Sequence, residues 1–294
     1  MHGLLPFLKP PGLTSHDAVN FARRTLGTKR VGHGGTLDPA AAGVLPLGIG
    51  EGARLLPWLP GGKEYIAELE FGYETDTLDT VGTVTSRGEC GGVTEVAIQQ
   101  LLPHFTGAFQ QVPPLYSAIK TDGVKGYERA RAGETEDLPP RDVIVQELEL
   151  IGFDAENLRA RLRVSCGAGF YVRSLIRDIG RLLGSGATMT FLVRTGACGF
   201  GIDTAVTAGE LESGASGLVS FAGALLGCAA VQVADDALIA DYLAGRSSWR
   251  ETAAGHARGG SLLVQSGIHN ATGQKAALLH EASRSAFFWL PLAP

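Results

Sequence analysis

Apolar positions along this chain recur with two different periods, and the change from one to the other separates helices from strands. Over residues 15–27, Val19, Ala22 and Leu26 share one face at helical spacing. Thr14 or Ser15 can cap that helix and Gly27 can end it. Over residues 64–71 the period falls to two: Tyr65, Ala67, Leu69 and Phe71 face one way, Glu64, Glu68 and Glu70 the other. That alternation predicts a half-buried strand, with residues 80–85 as its partner in a hairpin. Short helices are predicted over 51–59 and 95–105, and strands over 143–150 and 158–166. In the last of these Arg159, Arg161 and Arg163 share a face, read here as solvated rather than bound to RNA.

Residues 172–183 predict an amphipathic helix that buries Leu175, Ile176, Ile179, Leu182 and Leu183, closed by Gly184. Arg173, Arg177 and Arg181 would lie on its other side. Residues 110–140 mix glycine, proline and charge, including Lys120, Lys125, Arg129 and Arg131, and predict a long, basic, partly helical insertion. After a break near 203–225, residues 235–243 predict a helix. Residues 262–265, 276–279 and 286–290 predict short strands of a small β-rich appendage.

Composition agrees with a well-cored chain: 45% of its 294 residues are hydrophobic and 19% charged, far from a disordered profile. No segment has the length of a membrane span, and the apolar run before Pro10 is too short for a signal peptide. Four cysteines at wide spacing suggest neither zinc nor a redox pair. A cytoplasmic protein with no membrane partner is expected. The net charge of -5 argues against a nucleic-acid partner, but its distribution does not. Residues 1–60 hold six basic side chains against three acids, while residues 203–245 hold six acids and no base. Phosphate binding depends on local charge, so an acidic rear half leaves room for a basic working face.

Candidate chemistry centres on Gly32-His33-Gly34-Gly35-Thr36-Leu37-Asp38-Pro39. The glycines permit a tight loop and close approach of a ligand, and Pro39 biases Asp38 toward an extended backbone. Asp38 is the one acid between Asp17 and Glu51, and an isolated carboxylate in a stiff turn suits a nucleophile. No metal-ligand spacing, phosphate-binding glycine loop or Ser-His-Asp order accompanies it, so no metal and no cofactor is expected. Gly48-Ile49-Gly50-Glu51-Gly52 lacks the context of a dinucleotide site.

Beyond single residues, ordered motifs run through residues 1–200. They are Lys9-Pro10-Pro11-Gly12-Leu13-Thr14-Ser15-His16-Asp17, the Gly32-to-Pro39 loop with Ala42-Gly43-Val44-Leu45-Pro46, Lys63-Glu64-Tyr65 and Thr75-Asp76-Thr77. Pro113-Pro114-Leu115-Tyr116-Ser117-Ala118-Ile119-Lys120, Tyr127-Glu128-Arg129-Ala130-Arg131 and Phe170-Tyr171-Val172-Arg173 follow. In these the chain resembles the bacterial tRNA pseudouridine synthases of the TruB type. The resemblance implies isomerisation of the uridine at position 55, in the T-loop of tRNA, without a cofactor. It implies that Asp38 attacks the substrate covalently, at C1′ of the sugar or C6 of the base. Arg173 would pair with Asp38 and orient it, since a neighbouring cation favours the charged carboxylate. Tyr65 would stack on the uracil and is the candidate base for proton removal in the route through a glycal intermediate. Tyr171 and Leu192 would line the pocket, His33 would hold the flipped nucleotides, and Lys63, Lys120 and Arg194 would contact the RNA.

The chain departs from the family's pattern at Gly34, where threonine is usual, at Arg54, where lysine is common, and at Val193, where a first arginine commonly precedes Arg194. The last substitution would weaken one phosphate contact. Implied too are an α+β fold with a large mixed, mostly antiparallel sheet flanked by helices, a catalytic domain over 1–220, and a thumb-like insertion over 110–140. A PUA-like domain over 221–294 is placed by position. The expected partner is the T-arm of tRNA, bound by a monomer. Two other readings stand beside this one: a tRNA-folding helper whose modification is secondary, and a sugar hydrolase, which needs a second acid next to Asp38.

Overall fold

In the computed structural model the alternating segment becomes the strand Lys63–Phe71, whose Tyr65, Ala67, Leu69 and Phe71 are buried. The structure describes residues 1–117, 120–121, 124–126, 129, 138–214, 217–228, 231–257, 262–265, 276–281 and 284–289. The strand lies inside a ten-stranded sheet. Its path runs Val219–Ser220, Gly3–Lys9, Ala42–Ile49, Ala187–Ala197, Lys63–Phe71, Arg159–Cys166, Arg141–Asp154 and Gly107–Gln111. Along that path each pairing is antiparallel except the join of Ala187–Ala197 to Ala42–Ile49, which is parallel and pairs only Val193 with Ala42 and Arg194 with Gly43. At this seam the backbones crowd. Gly43 has φ +120°, and a Cβ there would lie 2.2 Å from the carbonyl oxygen of Arg194, so glycine is required.

Helices cover the sheet where apolar stripes demand it. Ser15–Thr25 starts on a Thr14–Asp17 capping box and packs Ala18, Val19 and Ala22 against Phe7, Leu45 and Leu47. Val172–Leu182 lays Leu175, Ile176 and Ile179 on Ala67, Leu69 and Leu162. Leu182, expected inside, is the last residue of the helix and is 61% exposed. Arg173 and Arg177, expected on the solvent side, are buried, and only Arg181 reaches out, bridging to Glu74 at 2.9 Å.

The segment expected as one helix over 51–59 is two short 3-10 turns, Gly50–Arg54 and Leu56–Trp58, because Pro57 cannot extend a helix from its interior. Val84–Arg87 forms a hairpin with Tyr73–Thr75, apart from the large sheet, instead of pairing with the Tyr65 strand. That strand's neighbours are Arg159–Cys166 and Ala187–Ala197. The predicted strand over 143–150 is longer, Arg141–Asp154, its register shifting between Leu150 and Gly152.

Toward the C-terminus, Val231–Ala234, Leu262–Gln265, Ala276–Glu281 and Arg284–Trp289 form a separate four-stranded sheet with helices Asp236–Leu243 and Ser248–Ala257. The second helix and the first strand carry patterns too weak to predict them. This sheet meets the larger one through a shared apolar cluster of Leu4, Leu55, Trp58, Phe221 and Phe288. The Arg284 guanidinium stacks 4.6 Å from the Trp58 ring and donates to the Pro57 carbonyl at 2.8 Å. Of the insertion, Gly107–Gln111 joins the edge of the large sheet, and Lys120–Thr121 pairs with Val124–Lys125. The helix expected within the insertion and the Lys120 side chain lie outside the described residues.

Candidate active site

Three polar side chains hold the Asp38 loop from different elements. Ser15, at the start of its helix, accepts from the Leu37 amide at 2.8 Å and donates to the Leu37 carbonyl at 3.1 Å. Lys9 ends the first strand with no exposed surface. Its ammonium donates to the carbonyls of Pro10 at 2.9 Å, Leu13 at 2.7 Å and Pro39 at 3.3 Å. Burial lowers the Lys9 pKa to about 8, and the Asp38 charge works against that fall. Arg194, also wholly buried, donates to Val44, Thr36 and Gly35 carbonyls at 2.7, 3.3 and 3.2 Å. Carbonyls that would be stranded in the core are thereby satisfied. With its backbone pinned, the loop leaves the Asp38 carboxylate about one-third exposed.

Arg173 meets that carboxylate from the first turn of its helix: Nε lies 2.9 Å from Oδ2. Its remaining nitrogens are also engaged, Nη1 with the Thr77 carbonyl at 2.8 Å and Nη2 with the Tyr116 carbonyl at 3.1 Å. The guanidinium is therefore fixed in its plane before any substrate arrives. Gln111 adds to this side by holding both backbone groups of Tyr171, accepting from its N–H at 2.9 Å and donating to its carbonyl at 3.1 Å.

Asp38 opens on a cavity of about 240 Å³ whose wall includes Lys63, Tyr65, Ser117, Tyr171, Arg173 and Leu192, with Leu37, Phe170 and Val172 as apolar surface. Among the described lining residues, Asp38 is the sole carboxylate. A pair of carboxylates flanking a glycosidic bond is therefore missing there, and the hydrolase reading falls. Tyr65 is almost enclosed. Burial pushes its phenol up to about 12, opposed by the neighbouring Arg194 charge. Burial also raises the Tyr171 phenol and lowers the Lys63 ammonium, Arg194 adding to the latter. Among the described residues no group of three His, Cys, Asp or Glu side chains is placed to hold a metal ion.

Six residues expected at the site thus meet around one cavity: Asp38, Lys63, Tyr65, Tyr171, Arg173 and Leu192. Arg194 does not reach the surface. The expectation that it contacts RNA is corrected, because its guanidinium is committed to loop carbonyls beneath Asp38. His33 stands off the cavity, half-buried on the strand Val31–His33, where its Nδ1 accepts from the Gly35 amide at 3.4 Å. Burial lowers its pKa, which favours the neutral ring. The sequence alone assigns no role at the site to Lys9, Ser15, Gln111 or Ser117. Lys9, Ser15 and Gln111 act through main-chain groups of other segments, and no periodicity signals those.

Residues 23–172 match the TruB family pseudouridylate synthase (N terminal domain). The chain is 47% identical over 213 residues to the tRNA pseudouridine synthase B of Synechocystis sp., covering 72% of each protein. It is 46% identical over 213 residues to the tRNA pseudouridine synthase B of Caldanaerobacter subterraneus subsp. tengcongensis, covering 72% of this chain and 74% of that one. Among solved structures, a Cbf5-Nop10-Gar1 complex superposes with a TM-score of 0.65 at 27% identity, over 90% of this chain and 74% of that chain. An H/ACA RNP bound to a substrate RNA containing 2'-deoxyuridine gives a TM-score of 0.53 at 30% identity over 72% of this chain. The present chain spans about half of that longer one, 52%.

Proposed function

The chain belongs to the TruB family of pseudouridylate synthases, isomerases of uridine in tRNA, and from that premise we propose that its target is the T-loop uridine at position 55. The observation that carries the assignment of the site is the Asp38–Arg173 pair, 2.9 Å apart at the mouth of a cavity with no second carboxylate among its described lining residues.

A base within its stack hides its glycosidic bond, so the uridine must flip out, and aromatic surface compensates for the stacking it loses. Tyr65 supplies that surface, and Leu192 forms part of the same wall. Asp38 attacks the nucleoside, and the N1–C1′ bond breaks. The uracil turns within the cavity, its C5 joins C1′, and the bond to Asp38 breaks, regenerating the carboxylate. The proton on C5 then leaves while N1, freed from the sugar, gains one, and Tyr65 is the candidate base for proton removal. Electrons and water balance without a co-reactant. Since burial keeps the phenol protonated in the free enzyme, its service as a base depends on Arg194, whose charge stabilises the phenolate.

Lys63 and Tyr171 contact the nucleotide from the same wall, and His33 meets the neighbouring flipped nucleotides. The insertion over 110–140 closes on the T-arm, with Lys120 among its cations giving a salt-sensitive share of affinity. Residues 1–220 act as the catalytic unit and 221–294 as a PUA-like RNA-binding unit, and the enzyme works as a cytoplasmic monomer.

The test is tritium release from T-arm RNA labelled at C5 of uridine. Wild type should release tritium, and Asp38→Asn should release none above background while retaining RNA affinity. Near wild-type release by Asp38→Asn would end the nucleophile assignment.

A further inference from the structure

Ser117 lines the same cavity as Asp38 and Tyr65. It is 6% exposed, and its hydroxyl has no hydrogen-bond partner among the described residues. Proteins seldom leave a buried hydroxyl in that state, because the lost hydration is not returned. Its polar neighbour is the Tyr171 phenol. Ser117 works against the upward push of burial on that phenol, yet the two oxygens do not complete a hydrogen bond.

We propose that the Ser117 hydroxyl is a substrate-binding group, which hydrogen-bonds the polar edge of the uracil once the flipped nucleotide fills the cavity. This rests on the isomerase reading above. Placement supports it first. The Ser117 amide donates to the Leu115 carbonyl at 2.8 Å, and the adjoining Tyr116 carbonyl accepts from Arg173 at 3.1 Å. One guanidinium therefore fixes both the nucleophile and the peptide that carries this hydroxyl. Gly126 packs behind it, where a Cβ would come 2.4 Å from the Leu115 carbonyl oxygen and 3.2 Å from Ser117 Oγ.

Chemistry supports it second. Much of the remaining wall, including Leu37, Phe170, Val172 and Leu192, offers the base no hydrogen bond. A hydroxyl both donates and accepts, and its proton rotates freely. It can stay engaged with an edge of carbonyls and N–H groups as the ring turns, whereas a fixed amide or carboxylate serves one orientation.

The experiment compares wild type with Ser117→Ala and Ser117→Cys in the full-length chain. It measures thermal midpoints without RNA and single-turnover pseudouridine formation on a T-arm stem-loop. A second RNA series carries 2-thiouridine or 4-thiouridine at the target. Deleting an unpartnered hydroxyl should leave the thermal midpoint unchanged or higher, while turnover falls about tenfold in Ser117→Ala and less in Ser117→Cys. At least one sulfur substitution should slow wild type more than it slows Ser117→Ala. A lower midpoint matched by lost activity would make Ser117 structural and overturn the proposal. So would turnover within twofold of wild type, or equal sulfur effects in both proteins. If wild type itself forms no pseudouridine in this RNA, the isomerase reading of the target fails instead, and this contact with it.

Discussion

Nε of Arg173 lies 2.9 Å from Oδ2 of Asp38, while Nη1 and Nη2 of the same guanidinium are held by the Thr77 and Tyr116 carbonyls. The carboxylate is thus oriented by a cation that cannot itself rotate. Lysine supplies the charge but only one nitrogen, and it cannot span a carboxylate and two carbonyls at once. Arg173→Lys should therefore slow single-turnover pseudouridine formation by about a hundredfold, the scale of a misplaced reacting group. RNA affinity should change little. Unaltered single-turnover rates would show that orientation of Asp38 does not depend on the pair.

Arg194 acts on the same loop from below. Replacing it with methionine keeps the bulk and strands the carbonyls of Gly35, Thr36 and Val44. Each unsatisfied group costs about 1–3 kcal/mol, so Arg194→Met should lose several kcal/mol in urea unfolding. Faster amide exchange should appear over residues 34–38, the segment whose geometry fixes Asp38. A variant as stable as wild type would mean that the loop repacks without the guanidinium.

Arg159, Arg161 and Arg163 make the opposite case. They stand on the sheet face away from the cavity, paired with Glu70, Glu68 and Glu149 at 2.8, 3.1 and 2.8 Å. Exposed pairs contribute under about 1 kcal/mol, and arginines already neutralised by glutamates are poor phosphate ligands. Arg161→Gln should leave RNA affinity within twofold of wild type across a salt titration. A shallower salt dependence would put RNA on this face after all.

The helices and strands that build this site were legible where one face is buried and the other wet. Tyr65 and Leu175 announce themselves by period. Asp38 stood out because its loop holds no other acid, but its partner did not: Arg173 sits on a helix with Arg177 and Arg181 at regular spacing, and periodicity placed all three in solvent. The Tyr116 and Val112 carbonyls reverse that for two of them, Arg177 donating to Val112 at 3.0 Å. Arg194 differs from its expected place for another reason. Its contact with RNA is implied by the family resemblance alone, and only the parallel seam beside Gly43 shows that its guanidinium is needed inside.

Lys9 offers a test of the same buried frame through pH. Unfolded, it titrates near 10.5; folded, burial brings it to about 8. Between those values the unfolded chain binds more protons than the native one, so stability rises as pH rises through this window. Below about 8 the fold carries the whole cost of a buried ammonium. Lys9→Met removes this linkage. The stability of wild type relative to Lys9→Met should therefore increase from pH 7.5 to 9.5, by at most about 1.4 kcal/mol per pH unit. Lys63, also lowered by burial, titrates in both proteins and cancels in the difference. Tyr65, raised to about 12, opposes the trend only above pH 10, where the unfolded phenol begins to ionise first. Urea midpoints at half-unit steps would read the slope. A flat difference would mean that the ammonium beneath Pro39 keeps its ordinary pKa, stabilised fully by its three carbonyls and the Asp38 charge.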